Sequence, residues 1–264
     1  MSVAVVGSVS LDRIEGGPPR IGGGPYYCGR GLRVLGVRAT IVAKCAAPDR
    51  PQVLPRLTRL GLPVLWRDST KTAAFGIDYD GEQRRMIVDA LADPWTPEEV
   101  QIPATWVHVA PLARSDFPPE TLAALARGRR VSLDGQGLVR PARLGPLQQD
   151  GDYDPEVLRS VSILKLAEDE AAMLVDGLDE RSLARLGVPE VVVTLGSRGC
   201  IVFHDGMAEL VRSRKVESRD PTGAGDAFAA AYLAARSRGA VPTAAARRAA
   251  ALVADVLAGR TSGA

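Results

Sequence analysis

The sequence predicts an α/β protein: a three-layer α/β/α sandwich with a mostly parallel central sheet and a small antiparallel lid. Three observations carry this expectation. About seven short, Val-rich apolar runs recur along the chain, each closed by glycine or polar residues, the pattern of fully buried parallel strands. Amphipathic or Ala-rich stretches separate those runs, which is the alternation of a βα chain. A hairpin pattern at 72–90 interrupts the alternation midway.

Val3 to Val6, closed by Gly7, reads as the first strand. Asp12 lies just past its carboxyl end, where open α/β sheets bind ligands. Ile21-Gly22-Gly23-Gly24-Pro25-Tyr26-Tyr27 then opens a helix that ends at Leu35-Gly36. Pro25 suits a first helical turn and Gly36 a C-terminal cap. Thr40 to Ala43 and Val64 to Trp66 are strands around a helix from Pro51 to Leu60.

Thr72 to Tyr79 and Arg84 to Ala90 flank Asp80-Gly81-Glu82-Gln83, a turn by composition. This antiparallel excursion suits a flap over a site or a dimerisation surface; residues 9–21 are expected to add a strand to it. Trp106 to Ala110 and Arg130 to Leu133 resume the parallel sheet around a helix from Pro118 to Gly128. His108 falls in the alternation of its strand and reads as structural. Asp154 to Ser160 is a short helix, Val161 to Lys165 a strand, and Ala171 to Val175 a helix opened by Glu168, Asp169 and Glu170. Carboxylates there favour the helix dipole by themselves.

Leu183 to Leu186 is helical and Glu190 to Leu195 a Val-rich strand followed by Gly196-Ser197-Arg198-Gly199. Cys200 to Phe203 and Met207 to Val211 alternate around Asp205-Gly206, a hairpin signal, and a basic strand-like run covers Leu210 to Val216. Ala227 to Arg236 and Thr243 to Leu257 are Ala-rich helices, and the tail after Gly259 is expected to fray. No repeat, low-complexity linker or domain boundary interrupts residues 1–264, so one domain is expected, with lid segments at about 9–21 and 72–90.

Composition narrows the function. A net charge of +2 argues against a nucleic-acid-binding stripe. Cys28, Cys45 and Cys200 have no paired spacing and read as buried thiols of a reducing compartment. Neither a signal-peptide start nor an apolar run of membrane-spanning length occurs, so a cytoplasmic protein is expected. The chain lacks Gly-x-Gly-x-x-Gly after its first strand, a P-loop and a Gly-x-Ser-x-Gly elbow. With only 2 histidines and dispersed cysteines, a zinc site is not expected.

The richest stretch is Asp220-Pro221-Thr222-Gly223-Ala224-Gly225-Asp226, at the start of the Ala227 helix. Glycines at a helix N-terminus leave unpaired N–H groups facing outward, which cradle anions. Asp226 beside such a cradle would repel an anion unless it takes a proton from an attacking hydroxyl. Anion cradle and base together read as phosphoryl transfer to an alcohol.

With these motifs on the chain, it resembles the ribokinase-like (PfkB-type) carbohydrate kinases over essentially its whole length. Gly22-Gly23-Gly24-Pro25-Tyr26-Tyr27 and Asp134-Gly135-Gln136-Gly137-Leu138-Val139-Arg140 resemble most the myo-inositol 3-kinase and related polyol-kinase branch. The resemblance implies Asp226 as catalytic base and Gly223, Ala224 and Gly225 as anion hole. It implies contacts to substrate from Asp12, Gly23, Gly24, Tyr27, Gln136 and Arg140. It places Thr194, Gly196, Gly199, Thr222, Ala250 and Val253 around ATP, and Glu170 as organiser of Mg2+ through water.

Two departures stand out. Family members usually carry Asn where Tyr27 and Ala167 stand, and this chain contains no Asn. The first change bears on the acceptor and the second on magnesium. The expected activity is ATP-dependent phosphorylation of a small polyol or sugar, most of all a myo-inositol-like one. A nucleoside or other sugar kinase, and a catalytically silent nucleotide-binding protein, remain alternatives. The expected assembly is a monomer or a lid-mediated homodimer without nucleic-acid or membrane partners.

Overall fold

The computed structural model describes residues 2–80, 83–214 and 222–258. The chain opens with β1 (Val3–Ser8), β2 (Ser10–Ile14), β3 (Arg20–Gly22), α1 (Gly24–Val34), β4 (Ala39–Ala46), α2 (Arg50–Thr58) and β5 (Val64–Ser69). Next come β6 (Ala73–Asp80), β7 (Gln83–Ala90), β8 (Trp106–Val109), α3 (Pro119–Ala126), β9 (Arg130–Asp134), α4 (Gln136–Val139) and β10 (Gly145–Pro146). The remainder holds β11 (Ile163–Ala167), α5 (Glu168–Leu174), α6 (Glu180–Ala184), β12 (Glu190–Thr194), β13 (Cys200–His204), β14 (Met207–Val211), α7 (Ala224–Ser237) and α8 (Pro242–Leu257).

Nine strands form the large sheet, in the order β14-β13-β12-β11-β9-β8-β1-β4-β5. The seven from β12 to β5 run parallel. The β12–β13 and β13–β14 pairings are antiparallel, as the Asp205-Gly206 turn signal requires. Because successive side chains on a strand point to opposite faces, odd and even positions separate into two cores. Val3 and Val5 of β1 pack with Leu32 of α1 and Leu233 of α7. Ala4 and Val6 of the same strand pack with Leu122 and Leu125 of α3 and Leu183 of α6. Helices therefore cover both faces, and the sandwich expectation holds.

The smaller sheet is larger than the hairpin that the sequence pattern suggests. Its five strands run β10-β7-β6-β2-β3. The 9–21 segment supplies two strands, β2 and β3, and β2 pairs with β6 in parallel. β10 is only 2 residues long, too short to show a period. The chain crosses between sheets at Val9, whose N–H donates to the Lys44 carbonyl at 3.1 Å. Residues 81–82 of the expected hairpin turn, 215–221 of the expected basic run and turn motif, and the tail after Ala258 lie outside the described residues. Among the described residues no helix is long and apolar enough to cross a membrane.

Candidate active site

Parallel strands bring their carboxyl ends to one sheet edge, which is where ligands bind in open α/β sheets. Here that edge collects Ser8 of β1, Asp134 of β9, Ala167 of β11 and Thr194 of β12. The N-termini of α1 and α7 lie against each other above it. A Cβ on Gly24 would stand 3.3 Å from Asp226 Oδ1, and one on Gly31 3.3 Å from Ala227 Cα. Gly31 lets α1 pack closely on α7, and Gly24 lets the start of α1 close on Ala110 past the end of β8.

Gly223 is the N-cap of α7, in the left-handed region at φ 79°. A Cβ there would meet the Tyr27 ring at 2.4 Å. Glycine is therefore required twice over, by backbone conformation and by Tyr27. Asp226 sits in the first turn of a helix 14 residues long whose middle is buried on all sides. The Cys28 thiol donates to the Asp226 carbonyl at 3.3 Å and lies 3.7 Å from Oδ1, tying Asp226 to α1.

Beneath this turn lies a set of buried charges. Lys165 Nζ pairs with Asp134 Oδ2 at 3.2 Å. It stands 3.2 Å from where a Cβ on Gly225 would be, so the ammonium lies against the first turn of α7. Burial opposes the charge of Lys165, but Asp134, Glu170 and Asp226 outweigh it and hold its pKa well above the usual range. Burial likewise works against Asp134, but Lys165 and then His108 pull its pKa below the usual carboxylate range.

Asp226 moves the other way. Burial, reinforced by the charge of Asp134, pushes it up to about 6 against the relief from Lys165. Its carboxylate keeps a partly solvent-facing edge on the cleft, while the charges behind it are buried. A carboxylate poised there is a stronger base than a free one and still ionised at neutral pH. His108 is buried, 3.1 Å from Ser132 Oγ through Nδ1, and burial lowers its pKa to about 4. It is a neutral structural histidine, as its place in a strand suggests.

Two cavities meet at the α7 N-terminus. The first, about 260 Å³, brings together Asp12, Gly23, Gly24 and Tyr27 with Gln136 and Arg140, and Gly223 and Asp226 close it. The second, about 310 Å³, is lined by Thr194, Gly196, Gly199, Ala224 and Gly225 on one side. Phe228, Ala250, Val253, Ala254 and Leu257 give it an apolar wall. Asp226 thus faces one cavity and the Ala224-Gly225 backbone the other.

Two residues sit elsewhere than the motif suggests. Thr222, expected beside a nucleotide, lines the first cavity. Glu170 lines neither cavity: it is buried, accepts the Ala167 N–H at 2.7 Å and caps its own helix. Burial raises its pKa. Among the described residues, no group of three or more His, Cys, Asp or Glu could hold a metal. A magnesium ion held by donor phosphates and water, as this ion commonly is, needs no such group.

Lys165 and the Cys28 contact were not singled out by motif. A lysine inside the apolar strand Ile163–Ala167 was the available signal, since buried lysine needs a partner. Nothing local marks Cys28, because its partner lies 198 residues away.

Residues 63–262 match the pfkB family carbohydrate kinase, and the chain belongs to that family. A cytidine kinase of Thermococcus kodakarensis is 31% identical over 150 residues, 53% of this chain and 52% of that protein. An inositol 3-kinase of Arabidopsis thaliana is 30% identical over 162 residues, 58% of this chain and 44% of that protein. The chain spans about half the length of these curated relatives. A solved pyrophosphate-dependent kinase in the ribokinase family, complexed with a pyrophosphate analog and myo-inositol, superposes with TM-score 0.84. It is 26% identical, over 97% of this chain and 94% of the other.

Proposed function

We propose that the chain transfers a phosphoryl group from ATP to a hydroxyl of a small polyol or sugar, with a myo-inositol-like ring as the leading acceptor. The observation that carries this reading is the α7 N-terminus standing between two cavities, with the Asp226 carboxylate on one side and the Ala224-Gly225 backbone on the other. Asp226 takes the hydroxyl proton as the oxygen bonds to phosphorus and the bond to the leaving phosphate breaks. The N–H groups of 223–225 hold the charge that spreads over the transferred oxygens, with the α7 dipole behind them. Arg140 adds positive charge on the acceptor side, and its field reaches Asp226. Asp12 and Gln136 orient hydroxyls of the acceptor, whose ring lies against Tyr27.

The apolar wall of the second cavity supports a nucleotide donor, because a purine has a face to bury there and bare pyrophosphate has none. The pyrophosphate-dependent structural relative makes pyrophosphate the donor to compare with it. A nucleoside acceptor is the second reading. It is favoured by Tyr26 and Tyr27, packed edge to face at 5.2 Å on the acceptor wall, a surface on which a base could stack.

The test is a matrix of ATP and pyrophosphate against inositols, pentoses, hexoses and nucleosides, with phosphorylated product quantified by phosphorus NMR. A cyclitol product supports the leading reading, and a nucleoside monophosphate supports the second. Nucleotide binding without product in any well overturns both.

A further inference from the structure

We infer that the acceptor carries an anionic group, a phosphate or carboxylate, on the side of the molecule remote from the hydroxyl that is phosphorylated. This rests on the phosphoryl-transfer reading above and narrows its substrate class. Among the described residues the acceptor cavity is lined by four guanidinium groups, Arg20, Arg30, Arg56 and Arg140, against two carboxylates, Asp12 and Asp226. That positive excess equals the net charge of the whole chain, +2. A neutral polyol gives such an excess nothing to neutralise.

Of the four arginines, only Arg140 is tied by its charge to Asp226. Arg140 stands at the transfer end, where its charge lowers the pKa of both Asp226 and Glu170. Arg20 on β3, Arg30 on α1 and Arg56 on α2 come to the same lining from three other elements, Arg20 and Arg56 exposed, and none makes an ion pair among the described residues. Arg30 is half-buried, with its guanidinium 5.9 Å from the centroid of the Tyr26 ring. Stacking on an aromatic face holds a guanidinium in place while leaving its N–H edge free. Asp12 is the cross-strand neighbour of Arg20 and offsets its charge. The first turn of α1 contains no acidic residue, and the positive end of that helix's dipole adds to the same field. Planar N–H forks are the groups that recognise phosphate and carboxylate in bidentate fashion.

Matched acceptors test the inference: myo-inositol against an inositol monophosphate, and glucitol against gluconate, each with the donor found above. The anionic member of one pair is expected to show kcat/KM higher by about tenfold or more, the worth of one charge-assisted hydrogen bond. Which pair responds separates phosphate from carboxylate. The advantage should shrink several-fold as NaCl is raised from about 0.05 to about 0.3 M, as exposed charge recognition is screened. In Arg30→Gln/Arg56→Gln the ratio of anionic to neutral kcat/KM should fall about tenfold. If that variant misfolds, the salt series on the unmodified protein carries the same decision. Equal or better use of the neutral member in both pairs overturns the inference and leaves the kinase reading standing. No transfer to any acceptor overturns both.

Discussion

Replacing Asp226 by Asn should damage turnover and strengthen the fold at the same time. The Asp226 pKa lies near 6 instead of 3.8. At about 1.36 kcal/mol per unit, holding the ionised form in the folded chain costs at most about 3 kcal/mol, less whatever the solvent-facing edge relieves. The direction follows from proton uptake: with the folded value above the unfolded one, the folded state keeps a proton that the unfolded state has released between about pH 4 and pH 6. The stabilising contribution of that proton is full below about pH 4 and is lost as pH rises through about 6. Asn carries no charge at any pH. Asp226→Asn should therefore melt higher than the parent at pH 8, by up to about 6–10 °C for a chain of this size, and by much less at pH 4.5. Its kcat should fall about 10²–10⁴-fold, the usual worth of a positioned base. Calorimetric melts at the two pH values and a product assay decide it. A variant with turnover within tenfold of the parent, or one less stable than the parent at pH 8, would refute the assignment of Asp226 as a strained base.

Further outcomes follow from the same geometry. In the parent protein, kcat/KM should decline about tenfold per pH unit below pH 6, because the protonated carboxyl accepts nothing; a pH–rate profile checks it. Gly223→Ala should cost more than 1 kcal/mol in urea denaturation and most of the activity, since it meets both a left-handed φ and the Tyr27 ring. Lys165→Met leaves Asp134 buried without its partner and should lose about 3–5 kcal/mol in urea denaturation. Any folded Lys165→Met should show its acid limb moved to higher pH, because a charge that lowers the Asp226 pKa is gone. Tyr27→Asn should raise KM for the acceptor several-fold while leaving KM for the donor near the parent value, because Tyr27 lines only the acceptor cavity; initial-rate kinetics separate the two.

Much of the architecture is legible because burial on both faces writes itself as Val-rich runs. β1, β4 and β12 read directly from residues such as Val3 to Val6 and Val191 to Val193. The smaller sheet was harder. β2 and β3 have partly exposed faces, and β3 and β10 are 3 and 2 residues long, too short for a period to appear. Most of the residues read from motif line the two cavities at the α7 N-terminus, because glycine spacing reports backbone needs that are local. The Lys165–Asp134 pair and the Cys28 contact join distant segments, so no local pattern carries them. Glu170 shows the converse case. Its place in the pattern suggests magnesium, yet with Ala167 as N-cap its carboxylate satisfies the backbone of its own helix.

The two cavities share little more than one turn of helix. Asp226 and Gly223 belong to one lining, Ala224 and Gly225 to the other, and no described residue lines both. A substitution that reshapes one chamber therefore leaves the opposite chamber's walls intact. Such a partition makes the two halves of the molecule modular: what is phosphorylated and what supplies the phosphate can drift apart under selection, each at its own pace, while the dividing turn stays fixed.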